Sequence, residues 1–323
     1  MMRFPAVAPL AAAMLALSVA CLGAQDYPAR PITMIVPFPP GGGNDTLARI
    51  VAAKISAALG QQVVVDNRGG ANGVIAMRAA ARAAPDGYTI VFANTSSTTI
   101  NLALNPNAGY DTKKEFVPIG MFAAAGIGII AHPSFPANNV AELIAYLRAN
   151  PDKVSIGTSP PGSGSHLSAE LFKARTGVRV MYVPYKGAAA LTTDLLGGHI
   201  PVVFSVVPAS LGAIKAGQLK VLAMTGSSRV AILPDVPTVS ETIPGFEAVL
   251  CYGLLAPAGT PRSIVERLNK ELFALSTSDE VRTRIANEAG TALSSTPEQY
   301  LAQIEREDAL WAPLIKSLNL RLE

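Results

Sequence analysis

Short apolar runs alternate with amphipathic helical segments through most of this chain, and that alternation restricts it to folds in which helices cover strand-rich sheets. Residues 32–37 form an apolar strand that runs into three glycines and then a helix over 44–59. On that helix Leu47, Ile50, Val51, Ile55 and Leu59 recur at helical spacing, and Gly60 ends it. A second strand at 63–65, a glycine-rich turn at 69–73, an alanine-rich helix and a strand at 88–93 repeat the cadence. Further strands are read at 154–158, 180–183, 202–204, 219–224 and 249–255. Helices start at Asn139-Val140-Ala141-Glu142 and Thr296-Pro297-Glu298-Gln299, both with the form of a capping box.

A chain of 323 residues exceeds the usual single core, so two α/β units are expected. Residues 25–124 with 248–323 form the first domain and 125–247 the second, because the strand at 249–255 is placed back in the first sheet. Two crossings of the chain then give a hinged cleft. Residues 1–24 read as an export signal, with Arg3 ahead of an apolar run over 6–22 and small residues before Gln25. Cleavage falls after Ala24 or Ala20; Ser18-Val19-Ala20-Cys21 also has the form of a lipid-attachment box, with Ser18 in place of the usual leucine.

Several function classes are excluded. Lys and Arg total 26 against 23 acidic residues, a net charge of +3 with no basic run, so no nucleic-acid surface is expected. Cys21 and Cys251 with three scattered histidines give no zinc spacing. No P-loop occurs, and Gly126-Ile127-Gly128-Ile129-Ile130-Ala131 lies inside an apolar β-rich run, not ahead of a helix, so no nucleotide cofactor is expected. Gly162-Ser163-Gly164-Ser165 is offset from a hydrolase nucleophile elbow, and the glycine-rich turns hold no acid pair. An enzyme is therefore not expected, and neither is any cofactor or metal.

What remains is anion binding. In Pro37-Phe38-Pro39-Pro40-Gly41-Gly42-Gly43-Asn44-Asp45 the glycines let backbone approach a ligand, and the following helix offers unpaired N–H groups. Asp45 can cap its own helix and fix the loop. Asn67-Arg68-Gly69-Gly70-Ala71-Asn72-Gly73 repeats the arrangement at the next strand end, where open α/β sheets bind ligands. Arg68 and Lys186 are candidate charge partners.

These motifs resemble the Bug (TctC-like) periplasmic solute receptors of tripartite tricarboxylate transporters. So do Tyr27-Pro28-Ala29-Arg30-Pro31-Ile32, Val183-Pro184-Tyr185-Lys186-Gly187, Leu233-Pro234-Asp235-Val236-Pro237-Thr238 and Ala256-Pro257-Ala258-Gly259-Thr260-Pro261. The resemblance spans the mature chain. It implies a two-domain Venus-flytrap fold of the type II periplasmic binding class, with mostly parallel sheets flanked by helices. It implies a periplasmic monomer that closes on a di- or tricarboxylate, an aromatic acid or an amino acid and serves membrane transporter subunits. A receptor handing closure to a sensor kinase is the alternative, and neighbouring genes distinguish the two.

Carried onto this chain, the loops place Phe38, Pro40, Gly41, Gly42, Asp45, Gly70 and Ala71 at the ligand, with Thr95 and Ser96 beside them. The second domain would bring Ser159, Gly162, Ser163, His166, Tyr185 and Ser205. Three departures stand out: Pro160-Pro161 after Ser159, Ser205 where an acidic residue commonly closes the strand, and Cys251 in place of a frequent Trp.

Overall fold

A computed structural model describes residues 27–41 and 43–320. The export signal, Cys21 and Gly42 lie outside the described residues. The strand–loop–helix cadence folds into two sheets. In the first, β1 (Ile32–Val36) pairs in parallel with β2 (Val63–Asn67) on one side and β3 (Thr89–Asn94) on the other. Helix α1 (Gly43–Leu59) connects β1 to β2, and α2 (Val74–Ala81) connects β2 to β3. The periodic residues of α1 bury Leu47, Ile50, Val51 and Ile55 in one core with Ile32, Met34, Ile90 and Phe92. Each such side chain contributes roughly 1.5–3 kcal/mol by leaving water.

Beyond β3 the pairing reverses. Strand β4 (Phe116–Gly126) is followed by β5 (Gly128–Ala131), which already belongs to the second sheet. The second sheet also takes β6 (Ser155–Thr158), β7 (Met181–Pro184), β8 (Val202–Ser205) and β9 (Lys220–Met224), in the order β7-β6-β8-β5-β9. The chain returns through β10 (Val249–Pro257), which lies antiparallel between β3 and β4. Strand β11 (Gly290–Ala292) closes the first sheet, giving β11-β4-β10-β3-β1-β2. Both sheets are mixed: parallel pairing holds for β1, β2 and β3 and for β6, β7 and β8, whereas β5 and β10 run antiparallel to their neighbours. The expectation of mostly parallel sheets is corrected in this respect. A strand that enters a sheet from the other lobe has no crossover helix to turn it round, so it pairs antiparallel.

The two passages between lobes touch each other. Thr225 is fully buried, and its hydroxyl accepts from the Ile127 N–H (2.7 Å) and donates to the Ala248 carbonyl (2.6 Å). Its main chain completes the tie, since Thr225 N–H donates to Ile127 O and Ala248 N–H donates to Thr225 O, both at 2.9 Å. A methyl group at Gly126 would fall 2.9 Å from the Gly226 nitrogen, so the passages approach this closely only because residue 126 has no side chain. The sequence that imitates a dinucleotide fingerprint is thus the interlobe passage.

The C-terminal helix braces the same region. Its first turn at Thr296 is a capping box with Pro297 in the first helical position, and it extends over Pro297–Ser317. From this helix the buried Glu307 carboxyl accepts from Thr95 Oγ1 (3.0 Å) and Gln303 Nε2 (3.1 Å), and lies 3.3 Å from Thr99 Oγ1. Burial pushes its pKa above the usual carboxylate range. Thr95 Oγ1 in turn accepts from the Cys251 N–H (2.8 Å), so the end of β3, the return strand and the last helix are locked together.

Thr225→Val keeps the side-chain shape but leaves the buried Ile127 N–H and Ala248 carbonyl without their hydroxyl. Urea unfolding should show a loss of roughly 1–3 kcal/mol, and a variant as stable as the parent would contradict this role.

Candidate functional site

A cavity of about 930 Å3 opens between the two lobes. That is at the upper end of the roughly 300–1,000 Å3 usual for small-molecule sites. The first lobe supplies the loop before α1 and the first turn of that helix, then Asn94, Ala123–Gly126, Tyr252, Glu288 and Gly290. The second supplies Ser159, the Lys186–Ala188 turn and Val206–Ala209 after β8. Lys186 and Glu288 are the charged side chains among the lining residues, so the wall is close to neutral.

The loop that begins α1 is held from below. Gly41 has φ +85°, a left-handed conformation that suits glycine, and its N–H donates to Asp45 Oδ2 at 2.9 Å. The same oxygen accepts from Arg49 Nε at 3.0 Å, and Asn67 Nδ2 donates to Asp45 Oδ1 (3.0 Å) and to the Phe38 carbonyl (3.1 Å). Arg49 Nη2 also reaches Asn67 Oδ1 at 3.2 Å, so the ends of β1 and β2 form one braced unit. Burial opposes ionisation of Asp45, but the bonds from Arg49, Gly41 and Asn67 outweigh it and lower its pKa. Among the described residues no backbone carbonyl accepts from the Gly43, Asn44 or Asp45 N–H groups. Gly43, Asn44 and Thr46 face the cavity, so a 17-residue helix presents the positive end of its dipole there. Such a site holds an anion without a dedicated cation.

Of the expected residues, Phe38, Pro40, Gly41 and Ser159 line the cavity. Gly42 lies outside the described residues, and the remaining ones do not line the cavity, each for a definable reason. Asp45 binds the loop through both carboxylate oxygens and does not line the cavity. Gly70 and Ala71 are exposed at the tip of the second glycine loop and do not line the cavity. Arg68 pairs with Asp66 at 2.8 Å. Thr95 is taken up by Glu307 and the Cys251 N–H, and Ser96 is buried in the helical turn that follows β3, its N–H donating to Asn94 Oδ1 at 3.1 Å.

In the second lobe Ser163 caps helix Gly164–Thr176 by accepting from the His166 N–H at 3.2 Å. His166 Nδ1 accepts from the Gly162 N–H at 3.3 Å, and burial, with Lys173, holds its pKa below the ordinary value, so the ring is a neutral brace. A methyl at Gly162 would lie 2.6 Å from Leu104 Cδ1, and one at Gly164 would lie 2.9 Å from Leu250. This segment is therefore where the lobes press together, not cavity wall. Tyr185 donates its hydroxyl to Asp194 at 2.9 Å, while its neighbour Lys186 faces the cavity. Ser205 is buried behind Val206, and its hydroxyl has no partner among the described residues.

Sequence reasoning missed Asn44, Asn94, Tyr252, Val206–Ala209 and Glu288 as lining residues. Asn44 was legible as the residue after the glycines. Tyr252 and Asn94 face each other across the β10–β3 pairing, and burial pushes the Tyr252 hydroxyl up to about 12.

A helix start and two mixed sheets around one neutral, interlobe cavity define a solute-binding protein of the two-lobed kind. Comparison with known proteins gives the family. Residues 47–320 match the tripartite tricarboxylate transporter family receptor, and the chain belongs to that family. It is similar to protein BugT of Bordetella pertussis, at 36% identity over 304 residues covering 94% of this chain and 93% of that protein. The structure of R. palustris Rpa4515 with adipate is 35% identical, covers 92% of this chain and 99% of that one, and superposes with a TM-score of 0.79. MatC from Rhodopseudomonas palustris with bound malate is 29% identical over 90% of this chain and 100% of that one, with a TM-score of 0.74. The protein is thus a periplasmic solute receptor and not an enzyme. No helix among the described residues is long and apolar enough to cross a membrane.

Asp45→Ala removes the acceptor shared by Gly41, Arg49 and Asn67. It should cost roughly 1–3 kcal/mol in chemical unfolding and weaken ligand binding through loss of loop order. Parent-like values for both would show that the loop does not need this brace.

Proposed function

We propose that this receptor captures a small carboxylate-bearing metabolite between its lobes and delivers it to the membrane subunits of a tripartite tricarboxylate transporter. The supporting observation is the start of α1 opening onto a cavity with Lys186 as its lysine and Glu288 as its acid. One carboxylate of the ligand sits at the first turn of α1, where N–H groups and the helix dipole meet it. The far end faces Ser159 and the Lys186–Ala188 turn. Relatives of the same fold bind adipate and malate, which supports the carboxylate reading for this chain.

Residues 25–124 with 248–323 and residues 125–247 act as the two moving bodies, turning about the Thr225 tie. Ligand contacts from both bodies favour the closed form, and the transporter reads that form. Residues 1–24 direct export to the periplasm, and the receptor acts there as a monomer.

Thermal shift and calorimetry against mono-, di- and tricarboxylates test the reading. An acid at a hundred times its dissociation constant should add about 2.7 kcal/mol of stability. A folded sample that binds none of them would refute it.

A further inference from the structure

A second cavity, of about 330 Å3, lies on the other side of the strands that floor the ligand cavity. Val249 and Cys251 of β10 line it, whereas Tyr252 lines the ligand cavity; in β11 the same division separates Thr291 from Gly290. Successive residues of a strand face opposite sides of its sheet, so the two cavities stand back to back across β10 and β11. Ala124 and Gly126 of β4, with little or no side chain, touch both. The back cavity is also interlobe. Gln303 and Arg306 of the last helix wall it on the first lobe, and Gly226, Ser227 and Ser228 face them from the second.

Between the two cavities the lobes meet twice. One meeting is the Thr225 tie. The other is Ala289, which is 3% exposed and shares an apolar cluster with Val207, Met224 and Val230 of the second lobe. Val207 lines the ligand cavity while Met224 and Val230 line the back one, so this contact lies on the divide. Ala289 holds φ +53°, a left-handed conformation that costs a residue with a Cβ, and the chain accepts that cost at an interlobe contact. A body that turns about such a line widens the space on one side as it narrows the space on the other.

We propose that the back cavity is a counter-wedge built into the hinge: it narrows as the ligand cleft opens and widens as the cleft closes, so whatever fills it tightens solute binding. Its first-lobe wall is braced. Gln303 Nε2 donates to Cys251 Sγ (3.5 Å) and Glu307 Oε1 (3.1 Å), and Gln303 Oε1 accepts from Arg306 Nη2 (2.6 Å) and Nε (3.1 Å). The facing wall is the exposed Ser227–Ser228 turn, which moves with the second lobe. A larger side chain on either wall has room only when the walls are apart, which is the closed form of the cleft.

Two variants of the mature chain test this. Thr291→Trp fills the back cavity from the first lobe and Ser228→Trp from the second; both positions are exposed, and each variant is checked for a parent-like melting transition. Cleft width is read without ligand from spin labels on Ala190→Cys and Arg284→Cys, exposed positions of opposite lobes close in sequence to the lining residues Ala188 and Ile285. The buried Cys251 stays unlabelled. The distance between labels should be shorter in both unliganded variants than in the unliganded parent. The acid that binds the parent should bind both variants roughly three- to tenfold tighter, through slower release. Distances unchanged or lengthened in both variants overturn the proposal, and so does binding no tighter than the parent's. If no acid binds the parent, the carboxylate reading fails by itself and the label distances still decide this one.

Discussion

The hydroxyl of Thr225 accepts from one interlobe passage and donates to the other, and most of what makes this molecule a receptor depends on that tie. Two lobes joined by two strands form a cleft only if the strands stay side by side. Here Gly126 lets them approach and Thr225 satisfies the backbone groups that the approach buries. A valine in its place would have similar shape and no way to meet those needs. The β4–β10 pairing then carries the alignment into the first sheet, and the Glu307–Thr95–Cys251 chain fixes the last helix against it.

From this frame the cavity follows. The start of α1 arrives at the cleft because β1, flanked by β3 and β2, runs directly into the loop that lines the cavity. The loop between them keeps its shape because Asp45 accepts from Gly41 N–H and Asn67 donates to Asp45 and to the Phe38 carbonyl. The result is a wall with donors to spare and almost no net charge. Anion binding of this kind relies on oriented N–H groups, which cost little to reorganise, more than on a single strong cation.

Much of this was legible in the chain itself. The period of apolar residues located β1, α1, β2 and the last helix, and Thr296-Pro297-Glu298-Gln299 marked where that helix begins. The motif over 37–45 pointed to the loop that lines the interlobe cavity, and the order of motifs gave the family. Local patterning did not reveal strand direction, because β5 and β10 owe their antiparallel pairing to the second lobe. It also placed Ser163 and His166 at the ligand, since a serine-rich, glycine-rich helix start reads the same whether it faces a cavity or a neighbouring lobe. In the structure Leu104 and Leu250 fill the space beside Gly162 and Gly164, where a side chain at either glycine would sit. Thr225 carried no signal at all, being one threonine at the end of an ordinary strand.

A crystal structure of the mature protein with a tightly bound acid tests the central claim most directly. A ligand carboxylate should lie within hydrogen-bonding distance of the main-chain N–H groups at Gly43, Asn44 or Asp45, with residues of both lobes touching the same molecule. A carboxylate bound only at Lys186, or an acid held by one lobe outside the cleft, would contradict it.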